Sequence, residues 1–189
     1  MARWQPDASG RLQEAALELY GERGFESTTV AEIAERAGLT KRTFFRYFAD
    51  KREVLFHGSE RLAETFATAI AAAPASAAPL DAAIAALDAA APYFEERRAF
   101  ATRRQQIIAA SPELRERELI KLAKLAEVVA DALRARGVGE PAATLTAEAA
   151  ITVFRVTFGR WVDPANRKSF ERLVRDSVAD LRAVTAVAR

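Results

Sequence analysis

Apolar residues recur along this chain at intervals of three and four rather than two, within segments rich in strong helix formers. The pattern predicts an all-α protein. A first helix over about 9–23 aligns Leu12, Ala16, Leu19 and Tyr20 on one face, Gly24 ends it, and Phe25 is placed to fold back onto that face. Thr29-Val30-Ala31-Glu32 reads as a capping box, opening a second helix of about two turns whose apolar positions are Val30, Ile33, Ala34 and Ala37 and whose stop is Gly38. Thr40 caps a third helix, with Leu39 and Phe44 spaced for a hydrophobic staple. A fourth helix is expected from Asp50, with Glu53 three residues on, to about Ala72, offering Val54, Leu55, Leu62, Phe66 and Ile70 for packing. After an alanine-proline-serine linker over 74–79, helices are expected at about 80–91, 92–110, 112–136, 142–162 and 167–187. The breaks fall at Pro92, Ser111-Pro112, Gly137-Val138-Gly139 and Asp163-Pro164, giving about nine helices in total.

The second and third helices, joined by Ala37-Gly38-Leu39, form a helix-turn-helix candidate. At 100° per residue Phe44 and Phe48 share the inner face of the third helix, so Arg42 and Arg46 point away, flanked by Thr43 and Phe45. Arginines on a face without covering acids suit phosphate contact and bidentate reading of guanine in the major groove. The competing reading is an ordinary solvated helix face.

Charge sharpens this picture through its distribution. The net charge is only +2, yet 39–52 carries Lys41, Arg42, Arg46, Lys51 and Arg52 against the single acid Asp50. The chain has no cysteine, which excludes disulfides, thiolate zinc sites and cysteine nucleophiles and suits a reducing cytoplasm. Its opening residues lack the pattern of a signal peptide, and the alanine-rich stretch 66–94 is interrupted by Pro74, Pro79, Asp81 and Asp88, so a cytoplasmic protein with no membrane span is expected. His57 stands without a second histidine or a metal-ligand cluster nearby in sequence and reads as a surface or hinge residue; no metal or cofactor is expected. With no histidine pair, phosphate-cradling glycine loop or nucleophile elbow, no enzyme is expected either, a small helical hydrolase being the enzyme alternative. A helical interaction module without DNA affinity is the other alternative.

The run Phe25-Glu26-Ser27-Thr28-Thr29-Val30-Ala31-Glu32-Ile33-Ala34-Glu35-Arg36-Ala37-Gly38-Leu39-Thr40-Lys41-Arg42-Thr43-Phe44-Phe45-Arg46-Tyr47-Phe48-Ala49-Asp50-Lys51 resembles the signature of the TetR family of bacterial transcriptional regulators. With the first helix, the resemblance covers about 50 residues. It implies that the third helix enters the major groove, with base or phosphate contacts from Lys41, Arg42, Thr43, Phe45, Arg46 and Tyr47, and backbone phosphates held by Thr29 and Lys51. Family members commonly carry tyrosine and histidine where this chain has Phe45 and Tyr47, so hydrogen bonds there differ. Arg3 and Trp4 read either as a basic arm reaching DNA or as a disordered terminus.

The same resemblance implies a DNA-binding domain over 1–52 and a ligand-binding and dimerisation bundle over 53–189, working as a homodimeric repressor on a palindromic operator in double-stranded DNA and released by a small-molecule effector. The residues support pairing on their own terms: Phe170, Leu173, Val174, Val178, Leu181 and Val184 form a broad stripe, and Ile151, Val153, Phe154, Val156, Phe158, Trp161 and Val162 make the preceding helix apolar nearly all round. A monomer core is the alternative. Candidate walls of an effector pocket are Phe66, Phe94, Phe100, Ile107, Leu122 and Phe154, each of which also reads as plain core. Arg103 and Arg104 share a side with Phe100, Ile107 and Ile108, which sets at least one guanidinium against an apolar face, where it needs an anionic partner. That partner is a carboxylate or phosphate of an otherwise apolar effector, or a structural acid such as Glu95, Glu96 or Glu113, unless the head reaches water. The segment 103–114 is weakly similar to regulators of acyl-CoA-like ligands.

Overall fold

Local capping chemistry starts and stops the first helices of the computed structural model, which describes residues 8–186. Ten helices are present among the described residues, and no strand: α1 Ala8–Arg23, α2 Val30–Arg36, α3 Lys41–Tyr47, α4 Glu53–Phe56, α5 Ser59–Ala72, α6 Pro79–Glu96, α7 Arg98–Ala110, α8 Pro112–Ala135, α9 Ala142–Trp161 and α10 Phe170–Thr185. Arg3 and Trp4 lie outside the described residues. At the head of α2 the Thr29 hydroxyl accepts from the Glu32 amide, while the Glu32 carboxylate accepts from the Thr29 amide at 2.8 Å. Gly38, at φ +64°, ends the same helix in the left-handed conformation. There its own amide bonds Glu35 O at 2.9 Å and the Leu39 amide bonds Ala34 O at 2.8 Å, so two terminal carbonyls are satisfied and the chain turns at once into Thr40, the cap of α3.

Two expected boundaries moved. The helix expected over 50–72 is interrupted, because Gly58 takes φ +94° and divides the short α4 from α5; counting α4 separately gives the ten helices. The break expected at Pro92 does not occur, and α6 continues to Glu96. Proline costs a helix one hydrogen bond, but here Phe94, one half-turn beyond it, is buried and keeps the helix on its apolar base of Ala83, Ala86, Leu87, Ala90 and Ala91.

The chain divides into two units. One comprises the described residues through His57 together with Arg103–Glu118; the other comprises Gly58–Thr102 and the described residues from Leu119 onward. This differs from a division at 52/53. Val54, Leu55 and Phe56 are buried, the Val54 carbonyl accepts from Gln13, and the Leu55 carbonyl accepts from Arg104 at 2.7 Å, so α4 and the corner between α7 and α8 share the N-terminal unit. Ile108 and Leu114 are buried there as well. The second unit is built on Phe66, Ile70, Leu87, Phe94, Val129, Leu133, Phe154, Trp161, Phe170 and Leu173.

Within the second unit one cation reinforces the C-terminal cap of α5. Arg136 donates to the carbonyls of Ile70 at 3.0 Å, Ala73 at 2.8 Å and Pro74 at 2.7 Å at and just past the end of α5, where the Ile70 and Pro74 carbonyls also accept the amides of Ala73 and Ala77. Charge-assisted bonds of this kind are each worth about 1.5–3 kcal/mol. Arg136→Ala is therefore expected to destabilise the protein by about 2 kcal/mol, read as a lower urea midpoint at unchanged m-value.

Candidate nucleic-acid interface

The short helix α3 rests on two rings. Phe44 and Phe48 are buried with centroids 5.4 Å apart, and this apolar seat fixes which side of the helix faces outward. Lys41, Arg42, Phe45, Arg46 and Tyr47 are exposed on that outer side, Phe45 to 56% and Tyr47 to 39%. Large aromatic rings left in water between cations are an unusual use of such residues in a chain with a core to fill. Thr43 is half-buried; its amide donates to the Thr40 hydroxyl at 3.1 Å, and the two hydroxyls lie 3.0 Å apart. Arg46 and Tyr47 act as a pair, since the guanidinium donates to the phenol oxygen at 3.2 Å and lies 4.9 Å from the ring centroid.

The electrostatics of the surrounding unit single out this face. Arg23 pairs with Glu32, Arg36 with Glu18 and Glu22, Arg52 with Asp50 and Glu113, Arg103 with Glu14, Arg104 with Glu118, and Arg117 with Glu53. Hydrogen bonds from the Thr29 hydroxyl and then the Thr29 amide hold the Glu32 carboxyl below its usual range, and a hydrogen bond from Arg36 does the same for Glu22. Among the described residues Lys41, Arg42 and Arg46 have no carboxylate partner. The paired acids of this unit are held by other arginines, and none of these pairs reaches the outer side of α3.

Thr29 and Lys51 stand apart from this free set. The Thr29 hydroxyl donates to Glu32 at 2.7 Å besides accepting from its amide. The Lys51 ammonium donates to three main-chain carbonyls, Phe25 at 2.9 Å, Thr28 at 3.1 Å and Glu26 at 3.3 Å. Both groups are engaged within the chain, so a phosphate contact from either requires breaking a bond already made.

The eight candidate effector contacts are divided between the two units. Phe66, Phe94 and Phe154 are buried in the core of the second unit, with Leu122 partly buried against it, while Phe100 in the same unit is half-exposed under the Arg97 guanidinium. Arg103, Arg104 and Ile107 belong to the N-terminal unit. The anionic partners of the two arginines are acids not foreseen from the sequence: Arg103 is exposed and bonds Glu14 at 2.6 Å, and Arg104 bonds Glu118 at 3.1 Å and lies over the Phe56 ring. Glu113 is taken by Arg52, and Glu95 accepts from the Phe170 amide at 2.5 Å. Sequence reasoning passed over Arg11, which reaches the Gly38 carbonyl, and placed Phe158, Trp161 and Phe170 on pairing helices without their contacts to the Phe94 ring. No local periodicity signals contacts this distant.

His57 occupies the joint before Gly58, exposed, with its ring 5.3 Å from that of Phe48 and Nε2 3.4 Å from the Ser9 hydroxyl. It lies outside the cationic face. His57→Ala is expected to change DNA affinity by no more than about 0.5 kcal/mol in an anisotropy titration without effector, and a larger loss would place His57 in the interface. Among the described residues no group of histidines and acids could hold a metal ion, and no helix is long and apolar enough to cross a membrane.

A short helix seated on buried rings, preceded by a tight turn and bearing unneutralised cations, defines a helix-turn-helix protein. Residues 12–57 match the family described as bacterial regulatory proteins, tetR family. It is 43% identical over 72 residues to the HTH-type transcriptional regulator TcmR of Streptomyces glaucescens; the match covers 38% of this chain and 32% of that protein. The chain thus spans about a third of the length of that curated relative. Over nearly its whole length it is similar to two solved structures. The TetR family transcriptional regulator PfmR from Thermus thermophilus is 26% identical at TM-score 0.50, covering 95% of this chain and 100% of that one. Thermus thermophilus FadR, a TetR family transcriptional repressor in complex with lauroyl-CoA, is 21% identical at TM-score 0.57, covering 96% of each. The last likeness is one of fold. The relatives named are regulators.

Proposed function

We propose that this protein is a transcriptional regulator that binds duplex DNA through the outer face of α3 and is switched by a small molecule held in its second unit. The observation that carries the reading is the set Lys41, Arg42 and Arg46, exposed beside Phe45 and Tyr47 and, among the described residues, without a carboxylate partner, while Arg23, Arg36, Arg52 and Arg103 of the same unit are paired. In this reading Arg42 and Arg46 read base edges or phosphates, Lys41 and Thr43 hold phosphates at the start of the helix, and Phe45 and Tyr47 pack on sugar or base edges.

The protein acts as a homodimer, because paired recognition helices about 34 Å apart match successive major-groove faces of an inverted repeat. Supporting this, α9 leaves Leu145 and Val156 exposed and α10 leaves Val184 exposed, although much of the apolar surface of both helices is already covered within the chain. The effector is an apolar molecule with an anionic group, a reading supported by the ligand of the Thermus FadR relative and by the apolar core of the second unit. Binding it releases DNA if it fits better in an arrangement that cannot engage the operator. The chain passes between the units at His57–Gly58, within α7 and within α8, and these three crossings are the covalent routes for that signal.

Selection of bound fragments from sheared genomic DNA of the source organism tests the reading. A shared inverted repeat is expected among recovered fragments, together with a dimer in light scattering. A folded protein that enriches no sequence at low salt, or stays monomeric at working concentration, contradicts it.

A further inference from the structure

We infer that Phe45 is a specificity-determining residue that reads the C5 methyl group of a thymine in the major groove. The inference deepens the DNA-binding reading and rests on it. Among the described residues Phe45 is the most exposed phenylalanine, at 56%. It stands on the stripe of α3 that carries Lys41 and Arg42, four and three residues before it, and Arg46 follows it directly. The two exposed rings of this helix are not alike. Tyr47 already has a partner, since Arg46 donates to its oxygen and lies against its ring. Among the described residues no cation lies over the Phe45 ring, and its ring contact is an edge-on approach to Phe44, with centroids 5.5 Å apart and planes at 81°. Phe44 is fully buried, so this contact holds the Phe45 ring at one edge and leaves the rest in water. The chemistry of the ring limits what can cover it. It has no hydroxyl, so it neither donates to a phosphate nor accepts from a base amino group. Deoxyribose presents the same apolar surface at every nucleotide and carries no sequence information. The base edges of the major groove bear one apolar group, the thymine methyl. The first residues of a recognition helix approach those edges, and Phe45 lies one turn beyond Lys41 and Arg42 on the same stripe. Contact between ring and methyl removes both from water and takes no charged group from its hydration.

The test removes the methyl group and nothing else. In the operator duplex recovered by the fragment selection, each thymine of one half-site is replaced in turn by deoxyuridine, which pairs as thymine does. Affinity is followed by anisotropy for the parent protein, Phe45→Ala and Phe45→Leu. At one position of the half-site, or at two adjacent ones, the parent is expected to lose about three- to tenfold in affinity with the methyl. Phe45→Ala is expected to bind the thymine operator about tenfold more weakly than the parent and to be indifferent to deoxyuridine at that position. A ring that only supported the helix would not produce this coupling. Phe45→Leu keeps an apolar side chain and is expected to retain part of the deoxyuridine penalty. The series on the parent requires no variant, so the result does not depend on the folding of either substitution. Parent affinity unchanged by deoxyuridine at every position, a penalty that persists in full in Phe45→Ala, or a half-site without thymine overturns the inference and leaves the DNA-binding reading standing. The failure of that reading looks different: no sequence is enriched, or Arg42→Ala and Arg46→Ala both bind the operator as tightly as the parent, and the inference then falls with it.

Discussion

Replacing Arg42 or Arg46 with alanine is expected to weaken specific DNA binding by about tenfold to a hundredfold each, the roughly 1–3 kcal/mol of a good base contact. Neither side chain belongs to the buried seat of α3, which is made by Phe44 and Phe48, so the folded state should be retained in both variants. The two losses should differ in kind. Arg46 is held against Tyr47 before DNA arrives, by a hydrogen bond and by the ring face, and such restraint lowers the ordering cost on binding. Arg42 has no carboxylate partner among the described residues and is the freer of the two. A contact to a base edge shows itself as relaxed sequence preference, whereas a contact to phosphate weakens all sequences alike and reduces the salt slope. Titration by anisotropy against the selected operator and a scrambled duplex, at several salt concentrations, separates the two. Unchanged affinity in both variants would move the DNA-binding surface away from α3.

What was legible in the sequence is what local chemistry controls. The capping box at Thr29 and Glu32, the stop at Gly38, the cap at Thr40 and the placement of Phe44 and Phe48 beneath Arg42 and Arg46 all follow from residues within one or two helical turns of each other. A helix over 50–72 is expected because nothing beside Gly58 announces a left-handed backbone, and a break is expected at Pro92 because continuation there depends on burying Phe94. The partners of the arginines were the least legible. Arg103 meets Glu14 across 89 positions and Arg117 meets Glu53 across 64, separations that no local pattern announces. Lys51 illustrates the same limit at a single residue: its charge marks it as a candidate for phosphate, and only the fold reveals three carbonyls converging on it.

Phe94→Ala is expected to destabilise the protein by about 3–5 kcal/mol, the largest effect of any single substitution considered. The sequence left Phe94 open as a pocket wall or as core, and the two readings predict different outcomes. A ring that borders an empty cavity already lacks neighbours on one side, so its removal costs little beyond its own transfer from water. Phe94 instead has ring neighbours on several elements: Phe170 at 4.7 Å, Phe154 at 5.7 Å, Phe158 at 5.8 Å and Trp161 at 6.0 Å. Truncation removes its contacts with α9 and α10 together and leaves a void that these rigid rings fill only in part. The same hub explains why α6 survives Pro92, since ending the helix there would release Phe94 from the cluster. Urea unfolding of the variant measures the effect as a lowered midpoint at similar m-value. A loss below about 1.5 kcal/mol would mean that the ring already faces open space, and would return Phe94 to the candidates for effector contact.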